Sequence, residues 1–306
     1  MTLAVGFTWI SETLLAFIHM AENAIHLYKF DEEAAQVRLI RVLELPPLCD
    51  GGRLNFAQCL SGQNPVFRSP PSPSYANSSN RPPPRFPFRY NPADGIACFI
   101  LGVGLEEIPG ASMTIAIIVH RHILVALASA AEETTADQRV PWDSWGPSAT
   151  RCLEVPYWRQ CSEPIGQRWT MLAHDQLLVR DFNPHNVRHA AAQLSPAPQV
   201  QVQVQAQASS SRSSSGSNSG AGRGGTGTTT TTNVRRVFRH ANGNRTRVVT
   251  APTLLTAGLC FRGDVISHLP YIETRAVCST PRWESVLTDG ERLFGLYFKV
   301  RFSPPE

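Results

Sequence analysis

Three consecutive stretches near the middle of the chain constrain it most. Residues 95–103, 112–120 and 122–128 are apolar at nearly every position. A strand with one wet face alternates apolar and polar side chains, whereas near-continuous apolarity implies burial on both faces. Read as strands, all three need protein above and below them, which means a core of several packed sheets. Gly102 and Gly104 lie inside the first stretch, but a third glycine and a following helix are missing, so they do not make a dinucleotide fingerprint. His120 and His122 would share a strand face. With no third or fourth ligand nearby in sequence, a strand-end or turn role fits them better than a metal.

The N-terminal region has the same character at lower density. Residues 5–10, 14–19, 24–30 and 37–45 read as four strands joined by short polar turns, a meander resembling one propeller blade or one sheet of a sandwich. A helix over 12–29 is the competing reading, with Leu14, Phe17, Ile18, Ala21, Ile25 and Tyr28 on one face. Strands are preferred because Ile, Phe and Tyr are frequent there. The expected fold is all-β and antiparallel, an incomplete β-propeller-like domain with long disordered loops.

Composition marks the boundaries. Residues 1–60 form an N-terminal β-meander, and 61–92 a proline-rich loop that cannot donate to a sheet ladder. Residues 93–193 form a central β region. The 194–233 tract of Gln, Ser, Gly and Thr buries too little apolar area to offset chain entropy and reads as a disordered insert. Residues 234–303 close the same domain, with a hairpin signalled by Asn242-Gly243. Arg235, Arg236, Arg239, Arg245 and Arg247 make this hairpin the most basic segment. A phosphate-binding ribbon is one reading, and a charged sheet edge that resists edge-to-edge pairing is the better one. A net charge of +4 over 306 residues is too small to argue for nucleic acid.

The seven cysteines are odd in number and form no C-x-x-C pair. They read as reduced thiols of an intracellular protein, in cytoplasm or nucleus. No signal peptide or membrane span is evident. No metal, cofactor or nucleophile motif is present, neither G-x-S-x-G, H-E-x-x-H nor a P-loop, so the expectation is a non-enzyme. An enzyme whose triad is assembled only in space is the alternative.

The central region carries the most distinctive pattern. Residues 168–172 and 177–182 read as a hairpin. Ahead of it, Trp142 and Trp145 stand between Pro141 and Pro147 in what reads as a loop. With Trp158, Arg168 and Trp169 they form an aromatic and basic set of the kind enriched at interaction hot spots. These five are the candidates for a protein-contact surface, with ordinary sheet-edge packing as the plainer reading.

Taken together, several segments resemble the C-terminal region of F-box proteins expanded in mushroom-forming fungi. They are the tryptophan-rich segment 141–151, Gly166-Gln167-Arg168, Asp181 to Pro184, Leu269-Pro270-Tyr271 and residues 289–296. The resemblance spans residues 95–298, less the insert. It implies a β-propeller-like region and a role in presenting substrates to a cullin-based ubiquitin ligase. The group's helical F-box, which grips the ligase adaptor, has no counterpart in residues 1–45, where the chain reads as strands. The resemblance therefore implies the recognition half alone, bound to a protein partner, on a chain that is either a truncated form of the longer type or a paralogue that kept only that half.

Overall fold

The computed structural model describes residues 6–60, 94–106, 112–132, 139–155, 161–173, 176–194, 235–239, 245–256, 260–277, 285–288 and 293–296. The proline-rich loop, all of the low-complexity insert after its first residue, and Trp158 lie outside them.

The chain opens with β1 (Phe7–Trp9), β2 (Leu14–His19), β3 (Ala24–Asp31) and β4 (Gln36–Glu44). In β2 the buried residues Leu14, Ala16 and Ile18 alternate with half-buried ones, a period of two that a helix cannot satisfy. The strand reading of this region holds. Then follow β5 (Gly52–Leu60), β6 (Ile96–Leu105), β7 (Ser112–His120), α1 (Arg121–Glu132), β8 (Arg139–Val140), α2 (Trp142–Ala149) and β9 (Thr150–Glu154). The first sheet has the order β1-β2-β3-β4-β8, antiparallel except for the parallel β4–β8 pair. The second is fully antiparallel in the order β5-β6-β7-β9. β5 therefore belongs with the central strands and not with the N-terminal meander that the 1–60 boundary assigned it to.

The remaining elements are β10 (Arg168–Ala173), β11 (Gln176–Asp181), α3 (Pro184–Leu194), β12 (Arg235–Arg239), β13 (Arg245–Val249), β14 (Thr253–Leu255), β15 (Val265–Ser267), β16 (Tyr271–Val277), β17 (Ser285–Thr288) and β18 (Leu293–Leu296). A third sheet runs β10-β11-β16-β13-β12, and β14–β15 and β17–β18 form two-stranded ribbons. The hairpin expected at 168–182 is present, in register from Arg168↔Asp181 to Ala173↔Gln176. So is the basic hairpin, β12 against β13. The described residues thus form an all-β, antiparallel architecture with three helices, and no closed propeller or barrel occurs among them.

The second sheet lies in the middle of the stack. Its residues Ala97, Phe99, Leu101, Ile115, Ile117 and Val119 share a core with Ile18, Ile25, Leu27 and Leu43 of the first sheet. Their sequence neighbours Ile96, Cys98, Ile100, Ala116 and Ile118 share another with Trp169, Met171, Leu178, Val249 and Tyr271. Adjacent side chains of one strand point to opposite faces, so both parities must be apolar where both faces are covered. This is the physical origin of the near-continuous apolar runs.

The third run differs from expectation. Residues 122–128 lie in α1, where Leu124 and Ala128, four apart, are buried in the first core while His122 and Ala126 are exposed. Alanines at 126, 128, 130 and 131 favour a helix over a strand. The proline-bounded tryptophan segment is also helical rather than a loop. Pro141 stands extended at its N-cap, and Trp142, Trp145 and Gly146 form one buried face of α2.

Candidate functional site

Residues 147–151, 166–168, 181–184 and 269–271, of the segments that carry the family resemblance, meet beside the second and third sheets, whereas Trp142 and Trp145 pack in the first core and residues 289–292 lie outside the described residues. Gly166 adopts φ +61, a left-handed conformation that glycine enters without penalty. It closes a tight turn in which Ile165 and Arg168 exchange backbone hydrogen bonds of 2.8 and 3.0 Å. Gln167 then donates through Nε2 to the Asp94 carbonyl at 2.6 Å, and Ile96 N–H donates to the Gly166 carbonyl at 2.9 Å, fastening the turn to β6. Asp181 pairs with Arg168 at 3.3 Å and accepts from Asn183 N–H and from Asn186 Nδ2. Asn183 Oδ1 in turn accepts from the His185 and Asn186 amides and caps α3.

Two buried charged groups hold the interior of this region. The Arg151 side chain, on β9, is fully buried. It donates to the carbonyls of Leu269 (2.6 Å), Ala251 (3.0 Å) and Ser267 (3.4 Å) and to Thr253 Oγ1 (2.5 Å). Its guanidinium also lies over the Tyr271 ring, 5.1 Å from the centroid. Burial brings it down to about 10, so it stays protonated at neutral pH. The second is Glu273 on β16, also fully buried, which meets Arg180 at 3.1 Å, Arg247 at 2.8 Å and Arg275 at 2.7 Å. Burial pushes its carboxyl up, but Arg180, Arg247 and Arg275 outweigh that and hold it below its ordinary value. Arg180 lies over the Trp169 ring at 5.3 Å as well.

The expected contact surface is therefore mostly interior. Trp142 and Trp145 are 5% and 2% exposed in the first core, and Trp169 is 0% exposed in the second. Trp142 and Trp145 meet edge to face at 5.4 Å, and Trp145 Nε1 donates to the Glu44 carbonyl at 3.0 Å, tying α2 to β4. A Cβ on Gly146 would sit 2.2 Å from the Trp142 ring. Large aromatic rings bury more apolar area than any other side chains, and here that demand is met inside the molecule. Of the described members of the set, only Arg168 is exposed.

The reactive groups are quiet. Burial pushes the thiols of Cys59, Cys152 and Cys161 up to about 12, so they are neutral and poor nucleophiles. Cys59, Cys98, Cys152 and Cys260 are free thiols. His120 stacks on His122 at 5.2 Å, and burial together with that neighbour brings it down to about 4. Its folded value lies below the unfolded 6.5, so the unfolded chain takes up the proton first as pH falls. Stability from this group is complete above that value and is lost on acidification toward about 4, amounting to about 3 kcal/mol. Denaturant unfolding at about pH 7 and about pH 4.5 is expected to show this loss in the native chain and a smaller one in His120→Gln.

Metal-ligating atoms gather elsewhere. Among the described residues, His19, Glu22 and His26 form the group of three, at the β2–β3 turn. The sequence did carry the signal, an H-x-x-E-x-x-x-H spacing across a turn between strands, but it matches no familiar motif. No protein-family model, curated protein or solved structure matches this chain. Among the described residues, no helix is long and apolar enough to cross a membrane.

Proposed function

We propose that this chain is a protein-recognition domain, the substrate-recognition part of an F-box-type ubiquitin-ligase receptor, built as an incomplete β-propeller. The observation that carries the reading is the face-to-face stacking of three sheets, antiparallel apart from the β4–β8 pair, with the middle one buried on both faces. Successive propeller blades pack in this way. The role of the resembling segments also supports it. Gly166, Gln167, Asp181, Arg151 and Tyr271 all serve the framework, as expected of a scaffold whose loops do the recognising.

Recognition then rests on surface complementarity without covalent chemistry. Arg168, exposed at the start of β10, is a contact candidate. Apolar side chains at the surface, Phe7 (61% exposed) and Val277 (65%), add area that a partner would cover. The basic hairpin favours a protein partner over a nucleic acid, because Arg247 is committed to Glu273 and so offers less charge to phosphates.

The test is capture of partners by the full chain from a fungal lysate, read by mass spectrometry. The expected result is a reproducible set of proteins enriched over a denatured-chain control, and the presence of the ligase adaptor and its cullin in that set would tie the chain to the ligase. Recovery of other proteins without the adaptor would keep recognition and remove the ligase. Recovery of none above a denatured-chain control would overturn both.

A further inference from the structure

The β2–β3 hairpin holds a chemistry that protein recognition does not use. Its connection is a single 3-10 turn, Met20–Glu22, capped by His19 and closed by Asn23 in the left-handed conformation. Asn23 Nδ2 donates to the Pro46 carbonyl at 2.9 Å, which fixes the turn against the chain leaving β4. Three residues around this turn converge. One nitrogen from each of His19 and His26 and one carboxylate oxygen of Glu22 lie within 4.8 Å of one another.

The nitrogen–oxygen spacings are close to those between a cation's ligands, and the two imidazoles stack at 4.8 Å with 7° between their planes, so the half-exposed His19 ring must turn for both lone pairs to meet one ion. His19 Nδ1, which here accepts the Glu22 N–H at 3.3 Å and would give up that bond to a metal, lies 3.6 Å from Glu22 Oε1, and His26 Nε2 lies 3.4 Å from Glu22 Oε2. Tetrahedral ligands about 2.0–2.1 Å from a zinc-sized ion stand about 3.4 Å apart. A second observation points the same way. His26 is 5% exposed, and its Nε2 is buried without a hydrogen bond although it faces the carboxylate. A buried polar atom left so is costly, and a metal is one group that would use its lone pair.

The surroundings complete the site. On the far side of the His26 ring, Nδ1 lies 3.4 Å from the Tyr28 hydroxyl, a partner that would hold the proton on Nδ1 and free Nε2. Glu22 is steadied by Arg139 of β8, whose guanidinium reaches Oε2 at 2.6 Å and Glu44 at 3.5 Å. His19 and Glu22 are 39% and 38% exposed, leaving one side of the group open to water or to a further ligand.

We propose that His19, Glu22 and His26 form a binding site for a divalent first-row transition cation of the zinc class, with Arg139 fixing the carboxylate through Oε2. Two imidazoles and one carboxylate suit a borderline ion such as Zn²⁺ or Co²⁺ better than Mg²⁺ or Ca²⁺, which take oxygen ligands. The ion would clasp the end of β2 to the start of β3, and through Glu22 and Arg139 it would reach β8.

The test uses the full, tag-free chain after chelator treatment. Zn²⁺ is titrated by calorimetry, and Co²⁺ is followed by its visible absorption. The expected result is one tight equivalent, with affinity reduced about tenfold or more in His19→Ala and in Glu22→Gln. His19→Ala removes the side-chain cap of the turn and Glu22→Gln weakens the pair with Arg139, so each variant's thermal unfolding without metal is recorded and a cooperative melt shows that it is folded when its affinity is read. A second histidine pair, His185 and His189 on α3, stacks at 6.4 Å and serves as the control. Binding that survives His19→Ala and Glu22→Gln unchanged, or that disappears in His185→Ala/His189→Ala instead, overturns the proposal. So does the absence of a stoichiometric equivalent in the native chain.

Discussion

Glu273→Ala is expected to lower the free energy of unfolding by about 3–5 kcal/mol. Glu273 is fully buried and lies within 3.1 Å of the guanidiniums of Arg180, Arg247 and Arg275. Removing it leaves positive charges facing one another with no counter-ion, and Arg180 is itself buried. The cost comes from the uncompensated charges that remain more than from the hydrogen bonds removed. Glu273→Gln keeps the shape and some hydrogen bonds while removing the charge, and an intermediate loss is expected. The folded carboxyl lies below its ordinary value, so the stability it contributes is present above that value. It fades as pH falls through the folded value, and the acid limb of the stability curve should flatten in both variants. Denaturant unfolding as a function of pH checks each part. Equal stability of native and Glu273→Ala chains would remove the cluster as a source of stability.

Arg151→Ala is expected to cost a comparable amount, about 3–5 kcal/mol, for a different reason. Arg151 faces the carbonyls of Ala251, Ser267 and Leu269 and the hydroxyl of Thr253, which it joins across three chain segments. Without it those acceptors are buried and unpaired, each at about 1–3 kcal/mol. Arg151→Lys keeps the charge but has one ammonium where the native residue has a rigid fork, so it should recover only part of the loss. Arg151→Met fills the volume and satisfies none of the acceptors. The expected order of stability is native, Lys, then Met and Ala. Met equal to the native chain would mean that packing, not hydrogen bonding, is what Arg151 supplies.

Both residues show what the sequence does and does not disclose. The strands were legible because their apolar residues obey simple periodicities. β2 alternates, and β6 and β7 are apolar throughout because they lie between two layers. The hairpin from Arg168 to Asp181 was legible from strand-like runs on either side of a polar turn. α1 was misread because a continuous apolar run does not distinguish a strand from a buried helix, and its alanines were the deciding signal. α2 was misread because prolines at 141 and 147 suggested a loop, although a helix accepts proline just before its first turn.

The candidate site was less legible than the fold. Trp142, Trp145 and Trp169 stand out in sequence for size and spacing, and neither property tells an interface from a core. Glu273 stands apart from any motif and Arg151 only closes the tryptophan-rich segment, and what matters about them includes partners far along the chain, Arg180 93 residues from Glu273 and Ala251 100 residues from Arg151. His19, Glu22 and His26 are close in sequence, but only the turn at Met20–Glu22 brings their ligating atoms together.

The middle sheet has one more consequence. Phe99 and Ile100 are neighbours on one strand, yet each belongs to a different core. The two cores therefore share a single pleated backbone, and neither can loosen without tilting the layer that seats the other. Loosening at either end should spread across the stack, so that the layers behave as one cooperative unit. A partner gripping the outer surface of one sheet would be felt by the sheet on the far side through nothing more than the alternation of side chains along β6.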